Sequence, residues 1–310
     1  MKMIRHSIVM ITYNQENLLP MALDSVLSQT VLPYEVIIGD DCSSDKTWEV
    51  IMEYHKKYPN IIKPVRQENN LGIFGNINSL IHLPTGDVIS MLSGDDLYKP
   101  GILEAFNEKI KENNLDVSDK WILISNAIDL YPDGKEVIYD NYKYRNRNLF
   151  KVKLRYALNF RETGFSRALW REISPIRQDL GYYADWLFTL DQIEKSDAFY
   201  FINKAFPVYR LGVGVISKSK RKQLFDSRIK TVDVILKKYK TLLDDSDIRY
   251  LNKEKQINRY LLAPSAYDFF NSLYCLVSNW NNYEQKEIRL YDLKSCFFFI
   301  GKTLRFLGLR

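Results

Sequence analysis

Short runs rich in β-branched residues alternate with longer stretches whose apolar residues recur at helical spacing over the first 127 residues of the chain. The strand-like runs are His6 to Tyr13, Tyr34 to Gly39, Ile61 to Arg66, Val88 to Leu92 and Trp121 to Ser125. Between them lie the helical stretches Gln15 to Gln29, Asp45 to Lys57, Gly72 to His82 and Gly101 to Glu112. This repetition predicts an α/β fold with a mostly parallel sheet and helices on both faces, because parallel neighbours need a crossover of about helical length. Ligands of such sheets bind beyond the carboxyl ends of the strands. Polar residues stand at those ends: Thr12, Tyr13 and Asn14 after the first strand, Asp40 and Asp41 after the second, and Ser93 to Asp96 after the fourth.

The pattern loosens further along. Residues 127 to 160 are rich in Tyr, Asn and Arg, carry a turn signal at Tyr131-Pro132-Asp133-Gly134, and read as an insertion over the surface. From Gly164 to Ser217 strand-like and helical pieces alternate irregularly. Beyond Lys218 only Pro264 interrupts long apolar-periodic stretches, which predicts a helical appendage. The expected division is residues 1–217 as one α/β domain and 218–310 as a helical region in contact with a membrane surface or a second copy.

Composition adds boundaries. A chain of 310 residues with 46% hydrophobic and 26% charged residues is large enough for a substantial core and polar enough to exclude a polytopic membrane protein. Three scattered cysteines (Cys42, Cys275, Cys296) and three histidines support neither a disulfide framework nor a zinc site. With no signal-like apolar stretch behind Met1, a reducing, cytoplasmic location is expected. The net charge of +6 is uneven, since residues 201–240 hold eleven Lys or Arg against two acids. Such a block suits a phosphorylated substrate or an anionic surface; nucleic acid is not the expected partner.

Leu92-Ser93-Gly94-Asp95-Asp96 ends an apolar run, and its adjacent carboxylates beside a close-approach glycine form a hard oxygen site suited to Mg²⁺ or Mn²⁺. Asp40-Asp41-Cys42-Ser43-Ser44-Asp45 follows the second strand, and the chain opens with Ile8 to Asn14. Taken together, these three segments resemble the inverting family 2 glycosyltransferases of GT-A fold, of the kind that build bacterial polysaccharides such as capsules. The resemblance implies a nucleotide-sugar donor, a metal cofactor, and a glycan or lipid-linked acceptor. It places Thr12 and Tyr13 at the nucleobase with Asn14 beside them, Asp41 on the base imide, Asp40 steadying the loop, and Asp95 and Asp96 at the metal. Gly72, Asn78, Gly94 and Asp96 join the donor side. A carboxylate that accepts the imide proton separates uracil or thymine from bases without that donor, so a UDP-sugar is expected.

Inverting transfer also needs a base for the acceptor hydroxyl. Tyr182 to Phe188 resembles the family's Glu-Asp-Trp motif, which makes Asp185 the base and sets Trp186, with Gly164 and Phe165, on the acceptor side. Arg210, Lys218 and Lys220 are the expected diphosphate and lid residues. The chain departs from the family at Ser93, Ala184 and Gly212, where an acid, a glutamate and a histidine are common, and at Ile77, where arginine is common. Those departures keep open an alternative, a catalytically degenerate nucleotide-sugar-binding subunit that supports a partner enzyme. The C-terminal stretch Lys294 to Arg310 interleaves aromatic and basic residues, which suits an anionic membrane interface, docking on the protein itself or a homodimer contact.

Overall fold

The computed structural model describes residues 3–155, 163–213 and 221–262. Lys218, Lys220 and the segment from Lys294 to Arg310 lie outside the described residues. The chain divides into two compact units, one of Met1–Asp179 with Ala184–Ser219, the other of Leu180–Tyr183 with Lys220–Arg310.

The first unit is built on a nine-stranded sheet with helices packed on it. Its elements are β1 (His6–Thr12), α1 (Leu19–Leu27), β2 (Glu35–Asp40), α2 (Thr47–Lys57), β3 (Ile62–Arg66), α3 (Gly72–Leu80), β4 (Val88–Ser93), β5 (Leu97–Tyr98) and α4 (Ile102–Glu112). There follow β6 (Trp121–Leu130), β7 (Glu136–Tyr139), α5 (Leu149–Leu154), β8 (Thr163–Ser166), α6 (Arg167–Arg171), α7 (Ala184–Lys195) and β9 (Ala198–Arg210). The strand order is β3-β2-β1-β4-β8-β6-β9-β5, with β7 paired to β6. The first four strands are parallel, β8 runs against both β4 and β6, and β9 is parallel to β6.

β1, β2 and β4 are buried along almost their whole length, so their near-continuous apolar runs are those of strands covered on both faces. In α1 the buried residues Leu19, Ala22, Leu23 and Val26 follow the i, i+3, i+4, i+7 stripe, and Pro20 suits the first turn, where its missing N–H costs nothing. Gly101 adopts φ +95° ahead of α4, and the Gln29 side chain caps that helix by accepting the N–H of Gly101 at 2.9 Å and of Ile102 at 3.2 Å. These contacts fasten α4 beside the end of α1.

The stretch 127–160 is more than a surface insertion. β6 runs on through buried Ala127 and Ile128 and pairs with β9 as far as Leu130, so the start of this stretch belongs to the sheet. Its Tyr, Asn and Arg content belongs to β7 and the turns behind it, where Asn126 and Asn141 supply buried polar pairing: Asn126 Oδ1 accepts Asn141 N at 2.9 Å, and Asn141 Nδ2 donates to Ser125 O at 2.9 Å.

The second unit holds α8 (Arg221–Lys238) and α9 (Asp245–Leu262), packed through Val232, Ile235, Tyr239 and Leu251. Arg228 lies over the Tyr183 ring at 5.1 Å and pairs with Glu254 at 2.6 Å, an arrangement that holds its guanidinium charged despite burial. Ser227 Oγ accepts Tyr183 N at 2.8 Å, fixing the short segment Leu180–Tyr183 to α8. Much of the basic block thus belongs to a helix hairpin, where Lys230 pairs with Asp226 and Lys255 with Asp233.

Candidate active site

After β1 the chain steps outward to β2 and β3, then returns to β4 on the other side of β1. Such a reversal leaves a crevice at the carboxyl ends of the strands. The register sets Thr12 beside Asp40 and Ile11 beside Ser93, so the polar ends of three adjacent strands lie level.

The loops after β1 and β2 are laced together. Asn14 adopts φ +50°, and its N–H donates to Ser43 Oγ at 3.0 Å while its Oδ1 accepts Ser44 N at 2.9 Å. Gln15 N donates to Thr47 Oγ1 at 2.8 Å, Glu16 N to Asp45 Oδ2 at 3.2 Å, and Lys46 N returns to Glu16 Oε2 at 2.8 Å. The Asn14 side chain, expected on the donor, is a clasp between loops. Tyr13 beside it is 40% exposed, an uncovered aromatic face at the crevice mouth.

Asp40 is fully buried. It accepts the Ser43 N–H at 3.3 Å and the Ser43 hydroxyl, and Arg66 Nε stands 3.5 Å from its second oxygen. Arg66 also donates to Ser43 O at 3.2 Å and lies over the Trp48 ring at 5.3 Å. Asp41 accepts Leu71 N at 2.7 Å, and Asn70 Nδ2 donates to its backbone carbonyl at 3.3 Å. Burial pushes the Asp41 carboxyl above the usual range, the N–H groups of Leu71 and Gly72 pull the other way, and nearby Asp40 adds to the rise. Gly72 has φ +75° with open space where a Cβ would stand, so it shapes the turn into α3. Packing of α3 needs Gly39, where a Cβ would come 2.4 Å from Asn76 Oδ1.

At the end of β4, Gly94 N donates to Ile11 O at 2.9 Å, and a Cβ there would meet Gln15 Oε1 at 2.5 Å and Thr12 Oγ1 at 3.0 Å. Thr12 Oγ1 in turn donates to Gln15 Oε1 at 2.7 Å. The glycine therefore lets β4 close against the first loop. Asp95 is half-buried and its carboxylate makes no hydrogen bond or ion pair among the described residues, whereas Asp96 is 2% exposed and accepts Arg210 N at 3.1 Å. Asp96, expected at the metal, ties β4 to β9 through that bond. Arg210, expected on the diphosphate, donates to Asp95 O and to Leu18 O at 3.1 Å, and Nη1 lies 3.4 Å from Met21 Sδ. Its burial lowers the guanidinium pKa, opposed by Asp96 and Asp95, and it braces the backbone that carries Asp95.

Asp185 occupies the first turn of α7, half-buried. Its neighbour Trp186, expected on the acceptor side, is fully buried and donates Nε1 to Lys153 O at 2.9 Å. Gly164 and Phe165, also expected on the acceptor side, are strand residues. Both lie in β8 between β4 and β6; a Cβ on Gly164 would stand 2.9 Å from the Phe106 ring, and Phe165 packs on Trp170 with centroids 5.7 Å apart. Asn78, expected on the donor side, is bound to the backbone of Ile176 in both directions, at 2.8 and 2.7 Å. Gln15, Ser43 and Arg66 were not anticipated; Ser43 sits inside a recognised segment and Gln15 directly follows one, but nothing in the sequence marks Arg66. Among the described residues no group of three or more His, Cys, Asp or Glu could enclose a metal, and no helix is long and apolar enough to cross a membrane.

The sequence profile of glycosyl transferase family 2 matches residues 7–174. The uncharacterized glycosyltransferase YwdF of Bacillus subtilis is 28% identical over 187 residues, 59% of this chain and 66% of that protein. The chain spans between 27% and 38% of the length of the first curated relatives it matches. Among solved structures, S. aureus TarS 1-349 in complex with UDP-GlcNAc superposes with a TM-score of 0.61 at 16% identity, covering 94% of this chain and 79% of that one. The mannosyltransferase PcManGT of Pyrobaculum calidifontis, in complex with GDP-Man and Mn²⁺, gives 0.55 at 14% identity, covering 99% and 88%.

Proposed function

The chain belongs to glycosyl transferase family 2, and from that premise we propose that it moves a sugar, with inversion, from a nucleoside diphosphate donor to a hydroxyl of a glycan or lipid-linked acceptor. The observation that carries this reading is the row of polar strand ends on β2, β1 and β4, with Asp41 held on one flank and an unengaged Asp95 carboxylate on the other. A donor laid across that row sets its base by Asp41 and its diphosphate by Asp95.

Asp41 reads the base. Its buried carboxylate accepts a ring N–H, the imide N3–H of uracil and thymine or the N1–H of guanine, which cytosine lacks. UDP is the donor nucleotide we infer, in keeping with the UDP-GlcNAc carried by the TarS neighbour. Tyr13 offers its exposed ring as a stacking face.

The residues fit a divalent cation in one respect: Asp95 presents a hard oxygen ligand that accepts no hydrogen bond from any described residue, though the Arg210 charge lies near it, at a strand end where phosphates would complete the shell. Mg²⁺ or Mn²⁺ held there with the donor's own diphosphate would neutralise charge on the departing nucleotide. Asp96 and Arg210 hold the Asp95 backbone in place. Asp185 takes the proton from the acceptor hydroxyl as that oxygen attacks the anomeric carbon and the bond to the diphosphate breaks, so no covalent sugar adduct forms.

The test is release of the donor nucleotide, a diphosphate from UDP-, GDP- and dTDP-sugars and CMP from CMP-sugars, with and without Mn²⁺. Slow hydrolysis of one UDP-sugar, dependent on metal, is expected. No release from any donor, with binding intact, would favour the nucleotide-sugar-binding subunit instead.

A further inference from the structure

At the opposite edge of the sheet from Asp41 and Asp95, where β1 and β4 begin, a cavity of about 420 Å³ opens between the end of α3 and α6. The two edges are roughly 20 Å apart, given about 3.3 Å per strand residue. Its lining brings together Arg5, Arg167 and Arg171 with His82, Thr85 and Trp170. Far apart in the chain, these arginines converge because β8 runs antiparallel to β4, which sets Arg167 beside Asp87.

The charges do not cancel. Asp87, itself buried, is the carboxylate shared by two of the arginines: Arg5 reaches it with its N–H at 3.0 Å and Nε at 3.4 Å, and Arg167 Nη2 lies 3.2 Å from its other oxygen. Burial opposes ionisation of Asp87, but those contacts hold its pKa below the usual range, so it stays charged. Arg5 and Arg167 also lean on one carbonyl, that of Thr85, at 3.3 and 3.4 Å, which orients both forks. Arg171 is exposed and makes no hydrogen bond or ion pair among the described residues. Its sequence neighbour Glu172 is engaged elsewhere, with Lys120 at 3.4 Å. A second buried carboxylate, Glu35, stands behind the cavity and accepts Thr85 N at 2.7 Å and Thr85 Oγ1 at 2.9 Å, so three guanidiniums against two carboxylates leave one positive charge here, with the Arg171 guanidinium as the group neither carboxylate pairs. The wall is rigid, since Trp170 donates Nε1 to Ile81 O at 2.7 Å and packs on Phe165.

We propose that this cavity is a second anion site, distinct from the donor crevice, and that its ligand is a phosphate group. Guanidinium forks match phosphate oxygens in geometry and charge, and a partly shielded, pre-oriented pair with a third free arginine suits an anion with several oxygens. The phosphate comes either from a soluble phosphomonoester or from the head of an anionic lipid. The inference does not depend on which donor the other edge binds.

The experiment uses the full chain and its Arg171→Glu and Arg171→Ala variants, since Arg171 supports no contact that the fold needs. Calorimetry at low ionic strength measures binding of inorganic phosphate and glycerol 3-phosphate against chloride of equal ionic strength. Flotation with vesicles of phosphatidylglycerol in phosphatidylcholine, against phosphatidylcholine alone, measures the lipid source. Wild-type binding in either arm, weakened at least about tenfold by Arg171→Glu and less by Arg171→Ala with melting curves unchanged, supports the site. The arm that responds names the source. Binding in neither arm, or binding equal in all three proteins, overturns it, because phosphate held at the donor crevice would not notice Arg171.

Discussion

The Asp41 carboxylate receives the backbone N–H of Leu71 at 2.7 Å, which fastens the end of β2 to the start of α3. A buried anion at a helix N-terminus is stabilised by the N–H groups there, yet desolvation outweighs them and the carboxyl titrates above its ordinary range.

That sign gives the first prediction. A carboxyl whose pKa is raised by folding favours the fold when protonated, and this contribution is lost as pH rises through the raised value. Asp41→Asn, which keeps an oxygen for Leu71, is therefore expected to be at least as stable as wild type at neutral pH. The difference should vanish as pH falls below the unfolded carboxyl range. Uridine nucleotides should bind the variant more weakly by roughly 1.5 to 3 kcal/mol, the worth of a hydrogen bond to a charged group. Denaturant melts across pH, with calorimetry of UDP and CDP, check both parts; equal losses for the two nucleotides would make Asp41 structural only.

Asp95→Asn is expected to leave the melting temperature unchanged, since the carboxylate holds nothing among the described residues, and to remove the metal dependence of UDP binding. Asp96→Asn should behave the other way. It weakens the acceptor for Arg210 N, so stability falls by about 1 kcal/mol while some metal dependence survives. Titrations of UDP with and without Mn²⁺, paired with melts, separate the two; indistinguishable variants would contradict the assignment of Asp95 alone.

His6 opens β1 almost fully buried, with Nε2 2.7 Å from Asn107 Oδ1, and burial lowers its pKa from 6.5 to about 4. A ring that is neutral in the fold but charged in the unfolded chain contributes stability above pH 6.5 that drains away as pH falls toward 4. The loss approaches about 3 kcal/mol. His6→Gln keeps a donor for Asn107 and should flatten this limb of the stability curve. Urea unfolding measured between those pH values is the check, and an unchanged slope would assign the limb to carboxylates.

The strands of the parallel half were legible because each is a β-branched run bounded by polar residues, and their observed ends fall within two residues of the expected ones. Positions of motif residues were legible; the directions of their side chains were not. Trp186, Gly164 and Phe165 lie next to a family motif in sequence, yet the first donates into α5 and the others fill the sheet against Phe106 and Trp170. Asn78 reads as a polar helix residue after a glycine turn, and only the fold brings Ile176 to it. The three arginines of the second cavity gave no signal at all, since an antiparallel strand from late in the chain assembles them. Local pattern specifies elements, and tertiary pairing decides which polar groups remain free for chemistry.

Asp185 carries the last prediction. It stands in the first turn of α7, where a carboxylate favours the helix by its charge and, as the proposed base, takes the acceptor proton. Asparagine keeps the size and removes both charge and basicity. Loss of the helix-terminus term is worth about 0.3 to 1 kcal/mol, a shift that melting curves resolve. Loss of a general base lowers turnover by about 10² to 10⁴-fold with donor binding intact. Turnover with the true acceptor, measured beside UDP binding and a melt for wild type and Asp185→Asn, distinguishes the two contributions. A variant that is slightly less stable but turns over normally would move the base elsewhere. Asp191 is the next acid along α7, but six residues on, at 100° per residue, it faces away from Asp185 and would require the acceptor to approach from another side.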